Sequence, residues 1–190
     1  MDKGNSKQRI GIIGAGKVGL SLAQLCQNSG YDVVVACRDI AKTKAALRSK
    51  TSQPRLNDNL AEVTRESSII VLAVADTQIG EVCKQVADHL DKHSIVTHLA
   101  GALDSNVLAS ARNVGALVAS THPLNTFPNL RAALAVLQNA KHNTAMFCEG
   151  QEQALRTLIP LFENLGFNCH RLDTDSKALY HAACVMACNY

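Results

Sequence analysis

Four short apolar runs, each followed by a segment with helical spacing, set the tightest limit on what this chain can fold into. "RIGIIG", "YDVVVAC", "SIIVLAVA" and "SIVTHLAG" are rich in Ile and Val, and they lack the in–out alternation of a strand with one wet face. Strands of that kind are covered on both faces, which goes with parallel pairing and helices above and below the sheet. Between them, "KVGLSLAQLCQNSG" puts Val18, Leu22, Leu25 and Cys26 on one helical face and reaches Gly30 where a helix stops. "IAKTKAALRSK", "LAEVTRES" and "TQIGEVCKQVADHL" read as further helices, and "TSQPRLNDN" as a loop. The second half alternates less regularly. "SNVLASARNVG" and "NLRAALAVLQNA" are helical, "ALVASTHPL" is a strand running into a proline turn, and "TAMFCEG" and "NCHRL" are strands. "QEQALRTLIPLFENLG" is a helix that Pro160 should kink or interrupt. The expected fold is α/β, a doubly wound and mostly parallel sheet over 9–172, with a C-terminal helix over 174–190 that begins a second, helical element.

Composition removes several classes of function. A net charge of +3 and 4% aromatic residues give neither the basic field nor the stacking platforms of a nucleic-acid binder. The first eight residues, "MDKGNSKQ", are polar and unlike a signal peptide, and no apolar run approaches a membrane span. Seven cysteines, odd in number and without a CxxC pair, read as buried thiols in a reducing cytosol, so a cytoplasmic location is expected. His181, Cys184 and Cys188 share a helix face, but a fourth ligand at suitable spacing is lacking and no metal is expected.

The first strand meets the first helix at "GAGKVG". In that strand–turn–helix context Gly14 allows the tight turn, Gly16 lets backbone approach a pyrophosphate, and Gly19 lets helix and strand pack closely. Ala15, Lys17 and Val18 complete the turn, and the helix N-terminus offers its amides and partial positive charge to phosphate oxygens. The end of the second strand selects the dinucleotide. There "ACRDI" places Arg38 and then Asp39 about 20 residues beyond the turn. Arg38 suits a ribose 2′-phosphate, with Lys42 and Lys44 adding to the field, so NADP is expected. Asp39 in the place of a ribose-binding acid leaves NAD as the alternative. Ala75 and Asp76 after the third strand, and His98 at the end of the next, stand where a cofactor would lie; Asp76 also reads as a helix cap.

The stretch "RIGIIGAGKVGLSLAQLCQNSGYDVVVACRD" resembles the N-terminal part of pyrroline-carboxylate reductases, ketopantoate reductases and deazaflavin-dependent NADP oxidoreductases. "HLAGALDSNVL", "STHPLNTFPN", "EGQEQAL", "LGFN" and "KALYHAACVMACNY" together resemble a little-characterised bacterial branch of that group. The resemblance implies a Rossmann-like NADP-binding domain followed by an all-helical domain of unknown function, of which this chain carries the first helix; members continue for roughly another 100 residues. On a helical wheel, Lys177, Tyr180, His181, Cys184 and Cys188 form one stripe of that helix, and Leu179, Ala182, Ala183 and Met186 form an opposite, packing stripe. Lys177 and His181 resemble in spacing the helical Lys–Asn pair of β-hydroxyacid dehydrogenases, where Lys is the acid/base. His122, in "STHPL", is placed at a strand end beside them.

The expected activity is hydride transfer between NADPH and a small carbonyl or imine substrate, with Lys177, His181 and His122 as catalytic groups. The alternative is an NADP(H)-binding module without turnover, acting as a sensor or assembly subunit. An uncovered terminal helix makes a homodimer the expected assembly, with no nucleic-acid or membrane partner.

Overall fold

The computed structural model describes residues 8–47, 53–125 and 144–189, without the side chains of the last two. The strands are β1 (Arg9–Ile13), β2 (Asp32–Ala36), β3 (Arg55–Asn57), β4 (Ile69–Leu72), β5 (Ile95–His98), β6 (Leu117–Pro123), β7 (Thr144–Gly150) and β8 (Phe167–Arg171). They form one sheet in the order β3-β2-β1-β4-β5-β6-β7-β8. Every neighbouring pair is parallel except β6 and β7. The chain winds outward from β1 to β3, then returns to build from β4 in the other direction. That reversal between β1 and β4 opens a crevice at the C-terminal strand ends, where open α/β sheets take their ligands.

Helices cover both faces. α1 (Lys17–Asn28) and α6 (Glu152–Asn164) close one side, where Leu20, Leu22, Leu155, Leu158 and Phe162 meet Ile10, Ile12, Val33 and Val35 of the sheet. α3 (Leu60–Arg65), α4 (Ile79–Ala87) and α5 (Ala109–Asn113) close the other, with Val63, Ile79, Cys83, Val86 and Ala111 against Val34, Ile70, Leu72, Val96 and Val118. α2 (Ile40–Leu47) contributes Leu47 to the same core as α1. Burial on both sides of β1, β2 and β4 is why those strands read as continuous apolar runs.

Some local expectations shift. The segment read as a loop before α3 contains β3, three residues registered against Val34–Ala36 and too exposed to carry an apolar pattern. "SNVLASARNVG" is a 3-10 turn (Ser105–Leu108) leading into the short α5. α6 runs through Pro160 without interruption, the proline lying on its exposed side. The helix expected over 129–140 lies outside the described residues.

The largest correction concerns α7 (Lys177–Asn189), the terminal helix. Its apolar stripe does not pack: Leu179 is 75% and Met186 65% exposed. The polar stripe faces the sheet instead, with Lys177 buried to 2% and Tyr180, His181 and Cys184 half-buried. Polar partners on β6 and an aromatic one on β7 reverse the helix's orientation. Lys177 Nζ donates to Ser120 Oγ at 2.8 Å, and the Tyr180 ring lies 4.4 Å from that of Phe147, centroid to centroid.

Candidate functional site

β1 ends in a turn that only glycine fits. Gly14 has φ +116°, its N–H donates to Ala36 O at 3.2 Å, and a side chain there would strike the Ala73 carbonyl oxygen. A side chain at Gly19 would strike the Gly14 carbonyl, so α1 and the turn are in direct backbone contact. Gly16 is different: nothing lies within 4 Å of where its Cβ would be. That opening is at the N-terminus of α1, which has no side-chain cap. The first intrahelical bond is Leu20 N–H to Gly16 O, so the amides of Val18 and Gly19 have no carbonyl within the helix to bond.

A cavity of about 630 Å³ begins there. Gly16, Lys17, Val18, Ala73, Val74 and Asp76 line one end, and Leu99, Ala100, Gly101, His122, Pro123, Asn125 and His181 the other. The volume is that of a small-molecule site. Two imidazoles converge over Gly101: a Cβ on that glycine would lie 2.9 Å from His122 Nε2 and 2.6 Å from His181 Nδ1. The other nitrogen of His122, Nδ1, is 2.7 Å from the Tyr180 hydroxyl. His181 Nδ1 is buried with no hydrogen-bond partner among the described residues, in a ring 6.2 Å from that of His122, centroid to centroid. Burial, with help from the Lys177 charge, pushes His122 down to about 4. Burial raises the Tyr180 phenol, as does its contact with Cys184. The protein thus holds a neutral imidazole and a neutral phenol in contact at the cavity's edge.

Six of the expected site residues line this space: Gly16, Lys17, Val18, Asp76, His122 and His181. Gly14 and Gly19 lie behind them as the turn's scaffold, while Ala15 and Ala75 adjoin the lining without belonging to it. Asp76 opens the 3-10 turn Asp76–Gln78, whose N-cap is Ala75. Arg38 and Asp39 are exposed beyond the cavity, at the end of β2. The Asp39 carboxylate is engaged as a cap on α2, accepting the Lys42 N–H at 2.9 Å. His98 is elsewhere. It is fully buried, accepts the Ala100 N–H at Nδ1 (3.2 Å), and bonds the Asp104 carbonyl through Nε2 (3.0 Å). Desolvation pushes it down to about 4, and both nitrogens are spent on backbone. Lys177 also lies outside the lining, with its ammonium turned to Ser120.

Sequence reasoning missed Gly101, Ser120 and Glu149. Glu149 is 1% exposed, and its carboxylate accepts the Ser105 N–H (2.6 Å), the Ser105 hydroxyl (2.9 Å) and the Thr174 hydroxyl (3.0 Å). An acid inside the apolar strand "TAMFCEG" was the available signal. Among the described residues no group of three or more His, Cys, Asp or Glu is arranged to hold a metal, and no helix is long and apolar enough to cross a membrane.

Known proteins share this architecture. Residues 2–123 match the model of the Rossmann-like domain, and residues 144–190 match a domain of unknown function, DUF2520. The chain is 26% identical over 117 residues to a glycerol-3-phosphate dehydrogenase [NAD(P)+] of Fusobacterium nucleatum, covering 56% of this chain and 35% of that protein. It spans about a third of the length of the curated relatives it matches. An imine reductase of Myxococcus stipitatus, solved with NAD+, superposes with a TM-score of 0.76 at 20% identity, over 96% of this chain and 61% of that one. Synechocystis arogenate dehydrogenase superposes with 0.75 at 19% identity, over 96% and 64%. At these identities the superpositions establish the shared fold.

Proposed function

The chain belongs to the Rossmann-like domain family, and we propose that it is an NADP-dependent oxidoreductase acting on a small carbonyl or imine. One observation carries the reading. A single cavity joins a glycine turn at an uncapped helix N-terminus to a pair of imidazoles whose nitrogens converge over Gly101.

The residues present fit a dinucleotide. The space over Gly16 and the unspent amides of Val18 and Gly19 suit a pyrophosphate. Arg38, exposed at the end of β2, suits a 2′-phosphate, and Asp39 already serves as a helix cap, which favours NADP over NAD. Bound there, the cofactor supplies or takes the hydride. The protein's own task is the proton. Reduction of C=O or C=N places one on oxygen or nitrogen, and oxidation removes it. His122, unprotonated at neutral pH and held through Nδ1 by Tyr180, takes up at Nε2 the proton that oxidation releases; for reduction it first takes a proton from solvent and then passes it on from Nε2. His181 Nδ1, buried and unpartnered, offers the same atom a second contact. Leu99, Ala100 and Pro123 keep that end apolar.

A fluorescence titration of the purified chain with NADPH and NADH, beside an Arg38→Ala variant, tests the cofactor. NADPH binding tighter than NADH, with the preference lost in the variant, is the expected result. Binding of neither nucleotide refutes the reading. A chain that binds NADPH but, as wild type, reduces no carbonyl or imine is instead the binding module without turnover, and a His122→Gln variant as active as the wild type removes His122 from the proton's path.

A further inference from the structure

Lys177 is the most buried charged side chain of α7, yet it does not reach the cavity. Its helix lies across the antiparallel pair β6–β7, in whose register Ser120 faces Glu149 and His122 faces Phe147. Residues two apart along a strand share a face, so Ser120 and His122 point the same way, as do Glu149 and Phe147. α7 answers this pattern with its own spacing. Lys177 bonds Ser120, and three residues on Tyr180 meets His122 and Phe147. Glu149 completes the seam by accepting from Thr174, in the 3-10 turn that leads into α7, and from Ser105.

Two opposite charges are thereby enclosed without forming a direct ion pair: among the described residues Lys177 has no carboxylate within 4 Å. Such an arrangement rarely stabilises a fold better than apolar side chains would, so stability is a poor reason for it. We propose that Glu149 is a positioning residue that acts through Lys177 on His122, its buried charge holding the ammonium and the start of α7 at a fixed place behind the cavity imidazole. The proposal rests on the reading of His122 as the proton-exchanging group.

The surrounding charges agree. Burial lowers Lys177 from the ordinary lysine value, and Glu149 is the foremost group opposing that, followed by Cys148 on β7, Asp104 before the Ser105–Leu108 turn, and Cys184 on α7. His122 faces Lys177 and His181 from α7 and His98 from β5, all three disfavouring its protonation. Glu149 opposes the lowering of Lys177, and the Lys177 charge adds to the burial that lowers His122. Neither touches the cavity, so both act by field and by placement.

The test is an NMR titration of the full chain, following the histidine ring protons and the lysine ε-methylene signals. His122→Gln and Lys177→Met identify the resonances. In the wild type His122 must titrate well below 6.5 and Lys177 below 10.5. In Lys177→Met the His122 midpoint should rise by about one pH unit, and in Glu149→Gln the Lys177 midpoint should fall. An unmoved His122 in Lys177→Met, or an unmoved Lys177 in Glu149→Gln, overturns the proposal. Ordinary midpoints in the wild type overturn it even if neither variant folds. None of these readouts involves a nucleotide. An NADPH titration of the same samples reports separately on the functional reading, so shifted midpoints without NADPH binding would sink that reading and leave the charge couple standing.

Discussion

Gly14 and Gly16 stand two residues apart in one turn and fail differently when replaced. At Gly14 a methyl group meets the Ala73 carbonyl and the backbone is left-handed at φ +116°. Gly14→Ala should therefore destabilise the chain by more than about 2 kcal/mol, read as a fall in the denaturant midpoint. At Gly16 the same methyl points into open space from an ordinary extended backbone. Gly16→Ala should cost no more than about 1 kcal/mol, the helix-capping difference between glycine and alanine. It should nevertheless weaken NADPH binding at least about tenfold, because the only thing displaced is a ligand. Full NADPH affinity in Gly16→Ala would show that the opening is not where the pyrophosphate lies. Gly101 belongs to the other end of the cavity, where an added Cβ would push on both imidazoles. Gly101→Ala should leave NADPH affinity intact and lower kcat about a hundredfold, the usual cost of an ångström's misplacement of a catalytic group. Equal losses in binding and turnover would place Gly101 on the cofactor instead.

The elements that a sequence displays well are those whose partners are apolar. β1, β2, β4 and β5 could be read directly, since each is buried on both faces by helices whose periodicity is equally plain. The glycine turn was legible for the same reason: its steric demands are local to six residues. α7 was half legible. The grouping of Lys177, Tyr180, His181 and Cys184 follows from 3.6 residues per turn, but not the direction in which they point. That direction depends on Ser120, His122 and Glu149, dozens of residues earlier and on two different strands. Hydrophobicity alone assigns the wrong face to the core. β3 escaped notice because an edge strand of three part-exposed residues has no pattern to read. The inverted helix gives its own prediction. Leu179→Ser should change stability by less than about 0.5 kcal/mol in urea unfolding of the chain. Tyr180→Ala should cost several times more, through the ring packed on Phe147 and the hydroxyl bonded to His122. A Leu179→Ser variant that unfolds as readily as Tyr180→Ala would mean that the apolar stripe is the one buried in solution.

Across the whole molecule, the buried histidines give the sheet a dependence on pH that the exposed charges do not. His98 and His122 both titrate near 4 in the folded chain, against 6.5 for an ordinary histidine. Between those values the unfolded chain binds more protons than the folded one, so stability must rise with pH through that window. The contribution is complete above about pH 6.5 and is lost as pH falls toward 4, amounting to about 3 kcal/mol for the fully buried His98. Glu152 behaves otherwise. It lies on the surface with Arg171 and Arg156, whose hydrogen bonds hold it down to about 2, and its contribution is lost only as pH falls from 4.5 toward that value. Salt screens that exposed cluster and leaves the buried imidazoles almost untouched. Urea midpoints measured from pH 8 to 3, at low and at high salt, separate the two. The wild type should lose stability below pH 6.5 by the same amount at both salt concentrations, and only the losses below about pH 4.5 should change with salt. His122→Gln should remove one proton's worth from the first slope, about 1.4 kcal/mol per pH unit at its steepest, and leave the contribution of His98. If the slope between pH 6.5 and 4 is the same in the variant, His122 titrates alike in the folded and unfolded chains, and the imidazole is not held neutral by its burial as the proposed site requires.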